Sequence, residues 1–78
     1  MEKSKMCYII ARKIKELEKW DDDLIKQIDE LNEKLQKETD EEVKETLMYA
    51  IAFKQGASMA FGQIGNSLNT LISEIERY

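Results

Sequence analysis

The sequence has no histidine, no proline and a single cysteine, Cys7, and each of these absences excludes a class of structure or chemistry. Without histidine there is no Ser-His or Cys-His catalytic pair and no Glu-x-x-His metal motif of helical bundles. One cysteine cannot form an intrachain disulfide or a cysteine-based zinc site. The lack of proline and the low count of 3 glycines argue against β-rich folds. We therefore expect an all-α protein that is not an enzyme, with no catalytic residue, metal or cofactor.

The length of 78 residues allows one domain, which we take to span residues 1–78. No run of 18 residues lacks polar side chains, and no signal-peptide layout opens the chain. We therefore expect a soluble, cytoplasmic protein that does not bind a membrane.

The 12 basic and 16 acidic residues are distributed unevenly along the chain. Residues 21–50 carry four basic and eleven acidic side chains, whereas residues 51–73 carry a single charge, Lys54. In a chain of which 36% is charged, such a stretch is rarely a solvent-facing surface. We predict that residues 51–73 pack against other helices.

Apolar residues spaced by four and three predict a first helix at about residues 4–37. This apolar stripe, interrupted only by Asp21, consists of Ile10, Ile14, Leu17, Leu24, Ile28, Leu31 and Leu35. A turn follows at about residues 38–40, where Thr39 and Glu42 have the spacing of a capping box. Because short junctions place neighbouring helices antiparallel, the pattern predicts a coiled-coil-like helical hairpin.

The second helix is predicted at about residues 40–77, with its own apolar stripe interrupted by Lys54. The stripe comprises Val43, Leu47, Ala50, Ala57, Phe61, Ile64, Leu68, Leu71, Ile75 and Tyr78. Folding the chain about Thr39 places Asp21 and Lys54 in adjacent layers. We predict that these two opposite charges meet and fix the register of the hairpin.

An alternative organisation has four short helices, with breaks at residues 20–23 and 54–56. Gly56 costs only about 1 kcal/mol inside a helix, and no proline enforces either break. Two long helices are therefore favoured.

The second helix is apolar well beyond its stripe, and this surplus is the candidate interface. Its residues are Ile51, Ala52, Phe53, Gly56, Ala57, Met59, Ala60, Phe61, Gly62 and Ile72. A two-helix hairpin has one line of contact and cannot cover so wide an apolar arc. We expect a second copy to cover it in a homodimeric four-helix bundle, or else a stable complex with a different protein.

The expected function is therefore a protein–protein interaction module: a small homodimeric regulator, adaptor or inhibitor. Two alternative functions are based on the charged surfaces of the chain. An acidic nucleic-acid mimic would use residues 21–45, and a nucleic-acid binder would use a basic stripe opposite the apolar one. The basic stripe consists of Lys5, Arg12, Lys19 and Lys26, with Lys15 close to the same line. The net charge of −4 and the lack of interleaved aromatic residues disfavour nucleic acid as a partner.

Overall fold

Two long helices joined by a short turn form the computed structural model, which describes residues 2–78. Helix α1 spans Lys3–Lys37 and helix α2 spans Glu41–Arg77. Hydrogen bonds from Ser58 to Asp21 and from Lys54 to Gln27 cross between the helices, so α1 and α2 lie side by side and antiparallel. The resulting rod measures 58 × 14 × 14 Å. The prediction of two long helices is confirmed, and the alternative with four short helices is wrong.

The turn is held by two carboxylates that accept backbone hydrogen bonds. Glu38 Oε1 accepts from the N–H groups of Thr39 and Asp40, at 3.1 and 3.0 Å. Asp40 Oδ1 accepts from the N–H groups of Glu42 and Val43, at 2.9 and 3.4 Å, and so caps α2. The cap predicted at Thr39 is therefore displaced by one residue, because α2 begins at Glu41 and aspartate is at least as good an N-cap as threonine.

The apolar stripe predicted for the first helix is the face of α1 that packs on α2. Ile14 is only 9% exposed, and the remaining stripe residues are half-buried. Asp21 lies on the same face and is also half-buried. The outer face of α1 is dense in charge, so only one face of this helix could turn inward.

The face of α2 that packs on α1 differs from the predicted stripe. We call it the hairpin seam; its members are Lys44, Leu47, Ile51, Lys54, Ser58, Phe61, Gly65, Leu68, Ile72 and Ile75. Ile51 is its most buried residue, at 7% exposed. Four residues that were predicted to face the first helix are exposed: Val43, Ile64, Leu71 and Tyr78. The apolar arc of α2 is wider than one helix can cover, so periodicity alone could not decide which part faces α1.

Two polar layers cross the hairpin where an Asp21–Lys54 pair was predicted. Ser58 Oγ donates to Asp21 Oδ1, and Lys54 Nζ donates to Gln27 Oε1 at 2.6 Å. The two ion pairs within residues 2–78 lie elsewhere, each inside a single helix. The predicted contact is therefore wrong, because the register brings Ser58 level with Asp21 and leaves Lys54 about one helical turn away.

Gly65 leaves a gap in the hairpin seam. A Cβ atom built on this glycine would meet no atom within 4 Å outside its own helix backbone. An open groove of about 170 Å³ lies beside it, lined in part by Ile14, Leu17 and Phe61. The seam therefore has room for a methyl group at this position.

Replacing Gly65 by alanine should stabilise the protein by about 1 kcal/mol, because alanine favours the helix and reduces the entropy of the unfolded chain. Urea denaturation at one fixed protein concentration measures the change. Gly56→Ala is the matched control, since Gly56 is exposed and its Cβ would also meet no atom within 4 Å. A net loss of stability at Gly65 alongside a gain at Gly56 would show that the seam has no such room.

A double-mutant cycle should separate the two polar layers. Asp21→Ala and Ser58→Ala should couple by roughly 0.5–1.5 kcal/mol, because the two side chains share a hydrogen bond. Asp21→Ala and Lys54→Met should be additive within about 0.5 kcal/mol, because Lys54 bonds to Gln27 instead. Chemical denaturation of the three single variants, the two double variants and the parent gives both values. Strong coupling between Asp21 and Lys54 would overturn this assignment of partners.

Candidate protein-binding surface

The hairpin exposes much more surface than a compact protein of its mass. Its accessible surface is 6242 Å², whereas a compact monomer of 9.1 kDa exposes about 4,900 Å². Its radius of gyration is 17.7 Å, against about 11.5 Å for a compact domain of this length. The excess of about 1,300 Å² is surface that two helices alone cannot enclose.

Large apolar side chains project outward along the middle of α2. Phe53 is 81% exposed, and Met48, Tyr49 and Met59 are each more than half exposed. Lys54 is the single charge between residues 48 and 64, and it is half-buried and bonded to α1. The outward surface of this part of α2 therefore carries no charge, which is typical of a contact surface.

A second line of mostly apolar residues runs along α2 directly beside the hairpin seam. We call it the second seam; its members are Val43, Thr46, Ala50, Phe53, Ala57, Ala60, Ile64, Ser67, Leu71, Glu74 and Tyr78. All but the last precede a hairpin-seam residue by one position, so the two seams face directions about 100° apart. A helix in a square four-helix bundle packs on two neighbours at nearly this angle. In α2, helix α1 occupies one of these faces and leaves most of the other exposed, with only Ala50 and Ala57 of the second seam half-buried.

Three of the ten predicted interface residues belong to the hairpin itself. Ile51, Phe61 and Ile72 lie in the hairpin seam and pack towards α1. Ala57 is half-buried at the edge of that seam. The six that are exposed are Ala52, Phe53, Gly56, Met59, Ala60 and Gly62.

The sequence reasoning missed Ile64 and Leu71 as surface residues, because it assigned them to the contact with the first helix. The signal that could have found them is the one-residue offset between two heptad repeats on the same helix. Both repeats are mostly apolar, so hydrophobicity alone does not separate the line that faces α1 from the line beside it.

Trp20 extends the uncovered surface onto α1. The centre of its ring system lies 6.2 Å from the centre of the Phe61 ring, and the two ring planes are inclined by 49°. Trp20 nevertheless remains 53% exposed. Gln27, seven residues further along α1, also contacts α2: its Oε1 accepts a hydrogen bond from Lys54 Nζ. Both contacts lie at the edge of the hairpin seam that adjoins the second seam, so the exposed part of Trp20 lies beside the second seam near Ala60.

The basic stripe lies on the side of α1 that faces away from α2. Lys5, Arg12, Lys19 and Lys26 are all exposed, as is Lys15. The two ion pairs found among residues 2–78 do not involve any of them. The stripe is therefore accessible to a partner in the isolated hairpin.

Across residues 2–78, neither helix contains a stretch long and apolar enough to cross a membrane. Comparison of the chain with protein-family models, curated proteins and solved structures finds no match. The functional argument therefore rests on the surface of the hairpin.

Proposed function

We propose that this chain is a non-enzymatic protein–protein interaction module of the cytoplasm that acts as a homodimer, as a small regulator, adaptor or inhibitor would. The observation that carries the proposal is the second seam, a mostly apolar face along α2 that α1 leaves largely exposed. Two hairpins that cover each other's second seam form a four-helix bundle. In that bundle α2 acquires the second neighbour that its apolar arc requires.

The area of exposed surface supports a stable dimer. Covering the excess surface of both copies would remove about 2,600 Å² from water, which is the size of permanent homodimer interfaces. The hairpin alone has little interior, because Ile14 and Ile51 are the only buried residues within 2–78. Association therefore supplies the apolar burial that a separate hairpin lacks.

A different part of α2 remains for a second kind of partner. Met48, Tyr49 and Met59 lie on the side of α2 turned away from both seams, so they stay exposed in the bundle. Methionine and tyrosine are enriched at protein interfaces, because they offer apolar contact area and adapt to different partners. This outer face is where the dimer would bind the protein that it regulates.

Sedimentation equilibrium at micromolar concentration should give close to twice the chain mass of 9.1 kDa. Phe53→Lys should produce monomers, because a charge in the second seam opposes association. Since Phe53 is 81% exposed, the same change costs the hairpin little. Gln63→Lys is the control: it adds the same charge at an exposed position outside both seams. A parent chain that stays at 9 kDa with full helicity would refute the homodimer.

The accessibility of the basic stripe supports nucleic-acid binding as a second candidate function. Fluorescence anisotropy with labelled RNA and DNA over a salt series tests it, because binding through phosphate contacts weakens steeply as salt rises. Arg12→Gln with Lys19→Gln should then weaken binding at low salt. Lys34→Gln with Lys37→Gln removes equal charge near the turn and should change it less. A chain that shows no binding at low salt eliminates this candidate.

A further inference from the structure

We infer that the second seam is covered by α2 of a second copy, packed antiparallel about a two-fold axis that passes beside Ala60. This inference rests on the proposed homodimer and specifies how its two copies meet. The first support is the shape of the seam. In an antiparallel arrangement centred on Ala60, Ala50 lies opposite Leu71, Ala57 opposite Ile64, and Phe53 opposite Ser67.

In the antiparallel arrangement, each of the three pairs places a large side chain opposite a small one, so that the side chains of the two copies interdigitate. The pairs are Ala50–Leu71, Ala57–Ile64 and Phe53–Ser67. A parallel arrangement would instead place every residue opposite itself. Ala50 and Ala57 would then face their own copies and leave gaps, while the two Phe53 rings would compete for one space. The order of residue sizes along the second seam thus favours the antiparallel dimer.

The charge distribution supports the same orientation. Residues 2–20 carry six basic and three acidic side chains, whereas residues 21–50 carry four basic and eleven acidic ones. The hairpin therefore has a basic open end and an acidic turn end. Antiparallel packing places the basic end of one copy beside the acidic end of the other, whereas parallel packing would bring the two acidic ends together.

Trp20 marks the centre of this arrangement. It packs on Phe61, the residue after Ala60, and overhangs the second seam. A two-fold axis beside Ala60 brings Trp20 of both copies to the middle of the bundle and removes the exposed half of each indole from water. Because it is the single tryptophan of the chain, its fluorescence emission should move to shorter wavelength as the dimer forms.

Disulfide cross-linking in a Cys7→Ser background tests the orientation directly. Ala60→Cys alone should form a covalent dimer under mild oxidation, because the two cysteines lie beside the axis. Ala50→Cys alone should not, because its two copies would lie about 30 Å apart along α2, and a disulfide requires Cα atoms within about 7 Å. A mixture of the Ala50→Cys and Leu71→Cys chains should cross-link, and mass spectrometry identifies the mixed dimer.

Each other outcome overturns the inference in a distinguishable way. Rapid cross-linking of Ala50→Cys alone would show a parallel dimer. A dimer in sedimentation that cross-links at none of these positions would place the interface on another face and leave the proposed homodimer standing. A monomer in sedimentation, with helicity intact by circular dichroism, would remove the proposed function together with this inference.

A size swap gives an independent test that needs no cysteine. Ala57→Ile overfills one contact and Ile64→Ala empties it, so each change should weaken the dimer by roughly tenfold or more. The double variant restores one large and one small residue to each contact, and its dissociation constant should return to within about threefold of the parent. Sedimentation measures all four proteins. Additive losses in the double variant would contradict the pairing of Ala57 with Ile64.

Discussion

The structure depends on one constraint: a helix can bury only one face against a single partner, and α2 is apolar over more than one face. Helix α1 comes closer to satisfying this constraint, because its apolar stripe is narrow and most of its remaining surface is charged or polar, although Ile9, Trp20 and Ile25 stay exposed. Helix α2 does not, since residues 48–64 carry a single charge and that charge is turned towards α1. The exposed Phe53 follows from this mismatch, whereas the rod-like shape and the excess surface follow from two long helices that lie side by side without a third element.

The same constraint explains why the packed face could be predicted from the sequence for α1 but not for α2. The α1 stripe was predictable because it is the one continuous apolar line on a helix that is otherwise rich in charge. On α2, residues such as Ala57 and Ile64 are as apolar as Ile51, so hydrophobicity could not decide which line would face α1. The hairpin seam is the line that carries Ser58 and Lys54, which hydrogen-bond to Asp21 and Gln27 of α1. Such pairing is a property of both helices together, and the periodicity of one helix does not contain it.

The polar layers of the hairpin follow a related rule. Asp21 and Lys54 both interrupt an apolar line, which made a direct ion pair the simplest prediction. The structure instead gives each charge a neutral partner: Ser58 for Asp21 and Gln27 for Lys54. A half-buried charge that accepts or donates a hydrogen bond is satisfied without a counter-charge. Two separate polar contacts also fix the register at two levels of the rod, whereas a single ion pair would fix it at one.

The thin interior of the hairpin links its stability to its proposed assembly. Among the residues that the structure describes, only Ile14 and Ile51 are buried, so the two helices bury little apolar surface against the conformational entropy of a chain of 78 residues. When a second copy covers the second seam, that burial is added to the same folding equilibrium, so folding and association become linked and depend on concentration. Phe53 and the residues around it then belong to the core of the dimer, although they lie on the surface of each hairpin. Their apolar character is the feature that the fold of one chain alone leaves without a physical explanation.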